Sequence, residues 1–202
     1  MKLICIGRNY QAHAQELNNA VPAAPIIFFK PGSCINPGPR MQLNPHLGAV
    51  HYECELILKV HEPLPLHRKI SSVREICKEW SLGIDFTARE IQDMLKEKRL
   101  PWELAKGFDQ SAVIGKWLPI PEKHLYDHSF TFLKNGKEVQ RGHLSRMIFN
   151  LEQMVNYCTG YFSVEAGDIL FTGTPEGVGR IAAGDLMEGV LMGEQVIRME
   201  VE

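Results

Sequence analysis

The sequence lacks a long apolar run, a cysteine-pairing motif and an excess of either charge. Its longest apolar stretch, near Ala20–Phe29, is interrupted by Pro22 and Pro25, and it falls far short of the roughly 20 residues that cross a bilayer as a helix. No membrane partner is expected. Lys and Arg total 22 against 24 Asp and Glu, for a net charge of −2. Without a general basic excess, no nucleic-acid partner is expected either. The five cysteines (Cys5, Cys34, Cys54, Cys77, Cys158) form no C-x-x-C pair and are odd in number. That argues against a disulfide framework and for reduced core thiols in a cytoplasmic protein. There is no N-x-[ST] acceptor, no G-x-x-x-x-G-K-[ST] loop and no G-x-S-x-G elbow. A nucleotide P-loop and an esterase-type nucleophile are therefore not supported.

What is present is ordinary for one globular domain. The chain has 202 residues, 45% hydrophobic and 23% charged, which suits a single domain over residues 1–202. Strand-like runs fall at Lys2–Ile6, Ile26–Lys30, Glu53–Val60, Leu82–Phe86, Ser129–Leu133, Glu138–Gln140 and Asp168–Thr172. The first, ended by Gly7, is read as a strand and not as a signal peptide. Asn135-Gly136 tolerates positive φ at both positions and predicts a hairpin turn. Thr87-Ala88-Arg89-Glu90 and Asn150-Leu151-Glu152-Gln153 each have the form of a capping box, with a helix following. The first helix runs to about Lys98. In the second, Leu151, Met154, Val155 and Cys158 share one face. A shorter helical turn is predicted at Tyr10–Glu16. Strands outnumber helices and do not alternate regularly with them, so the expected class is α+β with a mostly antiparallel or mixed sheet.

Several residue groups have chemical potential. In His51-Tyr52-Glu53-Cys54-Glu55-Leu56, strand alternation puts His51, Glu53 and Glu55 on one face. A lone E-x-E is ordinarily a solvated face, but Leu56-Ile57-Leu58 suggests burial. Buried paired carboxylates need a cation, and hard divalent ions take oxygen ligands. Asp85 ends an apolar strand and either caps the following helix or serves a site there. Arg89 and Gln92 are i, i+3 on that helix. His13 and Glu16 are also i, i+3, which makes them a surface pair or a dyad in which Glu16 orients His13 and raises its basicity for water activation. Lys106 precedes Gly107 and could bind an anion. Leu170-Phe171-Thr172-Gly173-Thr174-Pro175 is a strand leading into a Gly-rich loop, read as a tight turn or a carboxylate cradle. The remaining histidines show no metal-ligand spacing.

The order of these segments is specific. Gly7-Arg8-Asn9-Tyr10, Phe29-Lys30-Pro31, His51-x-Glu53-x-Glu55, Asp85-Phe86-Thr87-Ala88-Arg89-Glu90, Leu100-Pro101-Trp102, Lys106-Gly107-Phe108-Asp109 and Thr172-Gly173-Thr174-Pro175-Glu176-Gly177 together resemble the fumarylacetoacetate hydrolase family. The resemblance covers nearly the whole chain and is most like the acylpyruvate hydrolase/oxaloacetate decarboxylase branch. It implies a β-rich roll or mixed β-sandwich with peripheral helices, in a homodimer. It implies Mg²⁺, with Mn²⁺ or Ca²⁺ as alternatives, held by Glu53, Glu55 and Asp85. His13 and Glu16 would act catalytically from a mobile lid over residues 8–22, together with Lys106. Arg89, Gln92 and Thr174 would bind a small keto acid. The implied activity is cation-dependent C–C cleavage in 2,4-dioxo or 2-oxo acids, as acylpyruvate hydrolysis or oxaloacetate decarboxylation through a pyruvate enolate. The alternatives are an isomerase or hydratase of hydroxymuconate-type diacids, and a non-catalytic ligand-binding relative. Cys54 between the glutamates and Lys59-Val60 after them depart from the family pattern, which leaves the shape of the pocket open.

Overall fold

The computed structural model describes residues 1–202. It is an α+β structure rich in strands, with four short helices: α1 (Gln11–Glu16), α2 (Arg89–Glu97), α3 (Glu103–Lys106) and α4 (Leu151–Cys158). None is long and apolar enough to cross a membrane. A seven-stranded mixed sheet forms the centre. Its strands follow the order Ile26–Pro31, Lys2–Gly7, Ile169–Phe171, Cys54–Val60, Cys77–Asp85 and Ala112–Ile114, with Leu118–Pro119 also paired to Cys77–Asp85. Lys2–Gly7 and Ile169–Phe171 run parallel, and their neighbours are antiparallel. A five-stranded sheet holds Lys137–His143, Ser129–Lys134, Leu186–Leu191, Glu194–Val201 and Arg40–Met41. A three-stranded sheet joins Gly179–Arg180, Val50–Tyr52 and Thr87–Ala88.

The central sheet is buried on both faces. Along Lys2–Gly7, Ile4 and Ile6 enter the main core, while Leu3 and Cys5 enter a smaller cluster with Ile57 and Phe171. Period-two side-chain direction thus divides one apolar run between two cores. Each fully buried side chain of this size contributes about 1.5–3 kcal/mol. The main core lies between the central and five-stranded sheets, where Trp80 and Leu82 join Phe130, Phe132 and Ile197. Asn135 and Gly136 both have positive φ, 54° and 73°, and turn the Ser129–Lys134/Lys137–His143 hairpin as expected. The Asn150–Gln153 capping box is formed, and α4 buries Leu151, Met154, Val155 and Cys158.

Three local expectations are corrected. Thr87 does not cap α2. It pairs in the three-stranded sheet, and Ala88 occupies the N-cap without a side-chain hydrogen bond. Tertiary demand outweighs the local signal here, because the Thr87 hydroxyl accepts a hydrogen bond from Lys106 Nζ at 2.7 Å. The predicted Glu53–Val60 strand begins instead at Cys54, and Val50–Tyr52 belongs to another sheet. Glu53 is the corner between them, because the Cys54 amide turns away to the Gln140 side chain (3.0 Å). His51 therefore does not share a sheet with Glu55. The strands Ala112–Ile114, Leu186–Leu191 and Glu194–Val201 and the helix α3 were not legible as separate elements.

The segment before the site is held by Asn9. Its amide nitrogen donates to the Phe149 and Thr172 carbonyls (3.0 and 2.8 Å), and its carbonyl oxygen accepts from the Phe149 amide (2.8 Å). Gly173 has φ +94°, and a Cβ there would stand 2.6 Å from Asn9 Cβ, so the loop needs glycine at this position. Asn9→Ala is expected to destabilise the fold by about 2 kcal/mol or more, because buried carbonyl and amide groups lose partners. The urea midpoint checks this, and amide exchange should quicken first around Phe149 and Thr172.

Candidate active site and cation centre

Three strand ends meet at one place. Glu53 stands at the sheet corner, Glu55 is two residues along Cys54–Val60, and Asp85 closes the neighbouring strand, with its amide donating to the Glu53 carbonyl (2.8 Å). All three are buried, and their carboxylate oxygens lie within 4.8 Å of one another. Such a set of hard oxygen donors fits a divalent cation. The buried cations Lys30, Lys106 and Arg89 surround it. Lys106 Nζ donates to Glu53 (2.8 Å) and Asp85 Oδ2 (2.6 Å). Arg89 Nη2 donates to Glu53 Oε1, and its Nη1 donates to Gln92 (2.7 Å). Lys30 Nζ lies 2.7 Å from Asp85 Oδ1, an ion pair outside the angle of a directed hydrogen bond.

The three carboxylates do not share these cations equally. Burial opposes ionisation of Glu53, but Lys106 and Arg89 outweigh it and hold the carboxyl well below its ordinary range. Burial and the Asp85 carboxylate instead push Glu55 up, although it accepts from the Gly173 amide at 2.7 Å. Lys106 is stabilised as the ammonium: burial disfavours its charge, but Asp85 and Glu53 more than compensate. The cluster therefore has one carboxyl with too little positive charge near it, and an added cation would supply that charge.

The cleft over this cluster is narrow and is lined by His13, Glu53, Glu55, Asp85, Arg89, Gln92, Lys106 and Thr174, but not by Glu16. His13 is buried in its wall, and His13 Nδ1 meets Glu16 Oε2 at 3.2 Å. The other Glu16 oxygen accepts from the Gly177 amide at 3.0 Å. This contact ties α1 to the glycine-rich loop. Positive φ at Arg8 (58°) and Asn18 (52°) flanks the helix. Arg89 Nε is buried without a partner. The Thr174 hydroxyl is engaged by the scaffold, donating to the Cys54 carbonyl and accepting from Gln140, both at 2.8 Å. His51 is outside the cluster, and burial together with Arg89 holds its imidazole below its usual value.

Sequence reasoning left Arg8, Lys30 and Lys96 without roles. Arg8 and Lys96 line the same cleft. Burial lowers Lys96, assisted by Arg89 and Arg8. Lys96 sits seven residues after Arg89 and four after Gln92, on the same helical face, and that spacing was the available signal.

The chain matches the model of the family described as fumarylacetoacetate (FAA) hydrolase C-terminal over residues 2–201. It is 39% identical over 200 residues to the mitochondrial oxaloacetate tautomerase of Schizosaccharomyces pombe, covering 96% of this chain and 90% of that protein. It is 32% identical to an oxaloacetate tautomerase of Escherichia coli, covering 91% and 85%. The solved fumarylpyruvate hydrolase of Pseudomonas aeruginosa, in complex with Mn²⁺ and pyruvate, superposes with a TM-score of 0.90 at 30% identity, covering 100% of this chain and 90% of that one. The chain belongs to the fumarylacetoacetate hydrolase family.

The raised Glu55 carboxyl predicts how the cation-stripped protein responds to pH. A carboxyl raised on folding stabilises the fold below its unfolded value near 4.5, and that contribution is lost as pH rises through the folded value. Melting temperature after chelation should therefore fall as pH rises above the ordinary carboxylate range. Glu55→Gln should flatten this fall, and saturating Mg²⁺ or Mn²⁺ should reverse it in the wild type.

Proposed function

We propose that this protein is a divalent-cation-dependent enzyme acting at the enol of a small dicarboxylic 2-oxo acid, with keto–enol tautomerisation of oxaloacetate as its reaction. One observation carries the proposal: His13, paired with Glu16, lines the same cleft as three convergent carboxylates and their lysine and arginine partners. The names of the relatives at 39% and 32% identity support the choice of oxaloacetate. A divalent cation at Glu53, Glu55 and Asp85, Mg²⁺ or Mn²⁺ by this reading, supplies Lewis acidity that favours the enol of an adjacent 2-oxo acid. Arg89 binds a substrate carboxylate through its unpartnered Nε, and Gln92 fixes the guanidinium plane. Lys106 offsets negative charge that develops on the enol oxygen. His13 takes the proton from the carbon between the carbonyl and the far carboxylate, and Glu16 orients the ring and steadies its charge. A proton from solvent reaches the oxygen as the enol is released while His13 returns its own to solvent, which completes the exchange. Phe28, Leu17 and Trp102 keep bulk water from the cleft. Arg8 and Lys96 add the positive charge that suits a dianion.

C–C cleavage is the second reading, and the Mn²⁺–pyruvate complex of the fumarylpyruvate hydrolase favours it. In hydrolysis, His13 takes a proton from the water attacking the distal carbonyl. In decarboxylation, loss of CO₂ needs no such base. A homodimer and a cytoplasmic location with reduced cysteines belong to the same proposal, and light scattering tests the dimer.

The decisive experiment follows enol-oxaloacetate absorbance, pyruvate release and acylpyruvate loss separately with Mg²⁺ or Mn²⁺. The wild type should accelerate tautomerisation most, and chelation should abolish the effect. His13→Asn and Glu16→Ala should each lower tautomerisation and any acylpyruvate hydrolysis by about 10²–10⁴-fold, with decarboxylation less affected. Faster pyruvate release than tautomerisation would transfer the assignment to C–C cleavage. Isomerisation of an unsaturated diacid alone would make the enzyme an isomerase, and inertness in all assays would leave a ligand-binding relative.

A further inference from the structure

We infer that Lys30 sets which divalent cation the site accepts, by holding one oxygen of Asp85 in the protein interior, so that only the other, which Lys106 contacts from the cleft, can ligate. This rests on reading Glu53, Glu55 and Asp85 as a cation centre. Lys30 lies on Ile26–Pro31 at the edge of the central sheet and is fully buried, at 0% exposure. A buried ammonium is costly unless its donors are used. Lys30 Nζ donates to the Phe86 carbonyl (3.1 Å) and the Ser111 carbonyl (2.7 Å), and it packs 5.7 Å from the centre of the Phe108 ring. Its remaining neighbour is Asp85 Oδ1 at 2.7 Å.

The two lysines on Asp85 differ in what they face. Lys106 contacts Oδ2 and lines the cleft, where an anionic substrate competes for it. Lys30 is absent from the cleft wall and meets only protein. Two backbone carbonyls fix its ammonium, so its charge stays against Oδ1 whatever the cleft contains. Asp85 is then limited to a single ligating oxygen. That suits Mg²⁺ and Mn²⁺, which take one oxygen from each carboxylate in compact octahedra. It disfavours Ca²⁺, which reaches its higher coordination number by gripping both oxygens of a carboxylate. Lys30 is thus a positioning residue, acting through Asp85 without touching substrate.

Calorimetric titration of the chelator-stripped protein with Mg²⁺, Mn²⁺ and Ca²⁺ tests this without any turnover. The wild type should bind Mg²⁺ and Mn²⁺ more tightly than Ca²⁺. Lys30→Met should shift the Mg²⁺/Ca²⁺ affinity ratio toward Ca²⁺ by about tenfold, as expected when a second carboxylate oxygen becomes available. If Lys30→Met does not fold, Lys30→Gln replaces it, since its amide keeps a donor for the Phe86 or Ser111 carbonyl. A wild type that binds Ca²⁺ as tightly as Mg²⁺ overturns the inference even if neither variant folds. So does an unchanged ratio in a folded variant, or a parallel loss for all three ions, which would make Lys30 a support of the fold alone. If the wild type binds no cation, the cation centre itself fails, and that result is distinct from binding without selectivity.

Discussion

Three buried carboxylates and three buried cations must neutralise one another at the junction of the central and three-stranded sheets. Removing one partner from such a set leaves a charge stranded in a medium that cannot solvate it, at a cost of about 3–5 kcal/mol. Each surrounding element serves that balance. The strand ends bring Glu53, Glu55 and Asp85 together, α2 supplies Arg89, α3 supplies Lys106, and the edge strand supplies Lys30. The break in the strand at Glu53 and the diversion of Thr87 into a sheet follow from the same requirement, because both turn polar groups toward the cluster.

The balance is incomplete at Glu55. Arg89 and Lys106 make their direct contacts with Glu53 and Asp85, so Glu55 has one backbone amide and the more distant Lys106 charge, which burial and the Asp85 carboxylate outweigh. A divalent cation among these oxygens would supply the missing positive charge. The α1 histidine lines the cleft, and the contact between Glu16 and Gly177 ties the helix to the glycine-rich loop. The left-handed residues at both ends of this segment are where a hinge would place its backbone change.

Family membership and the names of the relatives support keto-acid processing, and the enol chemistry proposed above is one form of it. Tautomerisation, decarboxylation and hydrolysis differ in where a proton or a water enters, not in the groups that hold the substrate. A single constellation of His13, Lys106, Arg89 and the carboxylates can therefore serve any of them. The relatives accordingly carry names from two reaction classes on one fold.

By itself the sequence determined the elements with strong local signals. These include the Lys2–Ile6 strand, the Asn135-Gly136 hairpin, the Asn150 capping box and the paired carboxylates Glu53 and Glu55, whereas Asp85 joined them only through the family resemblance. Hydrophobic periodicity and turn chemistry act within a few residues, so they can be read without the fold. Tertiary structure alone decided that Thr87 serves Lys106 and not a helix cap, and that Glu53 is a corner and not the start of a strand. It also placed Lys30 against Asp85, a partner 55 positions along the chain. Those choices are made by the electrostatics of a buried site, where the cost of an unpaired charge exceeds any local propensity and no nearby residue reveals it.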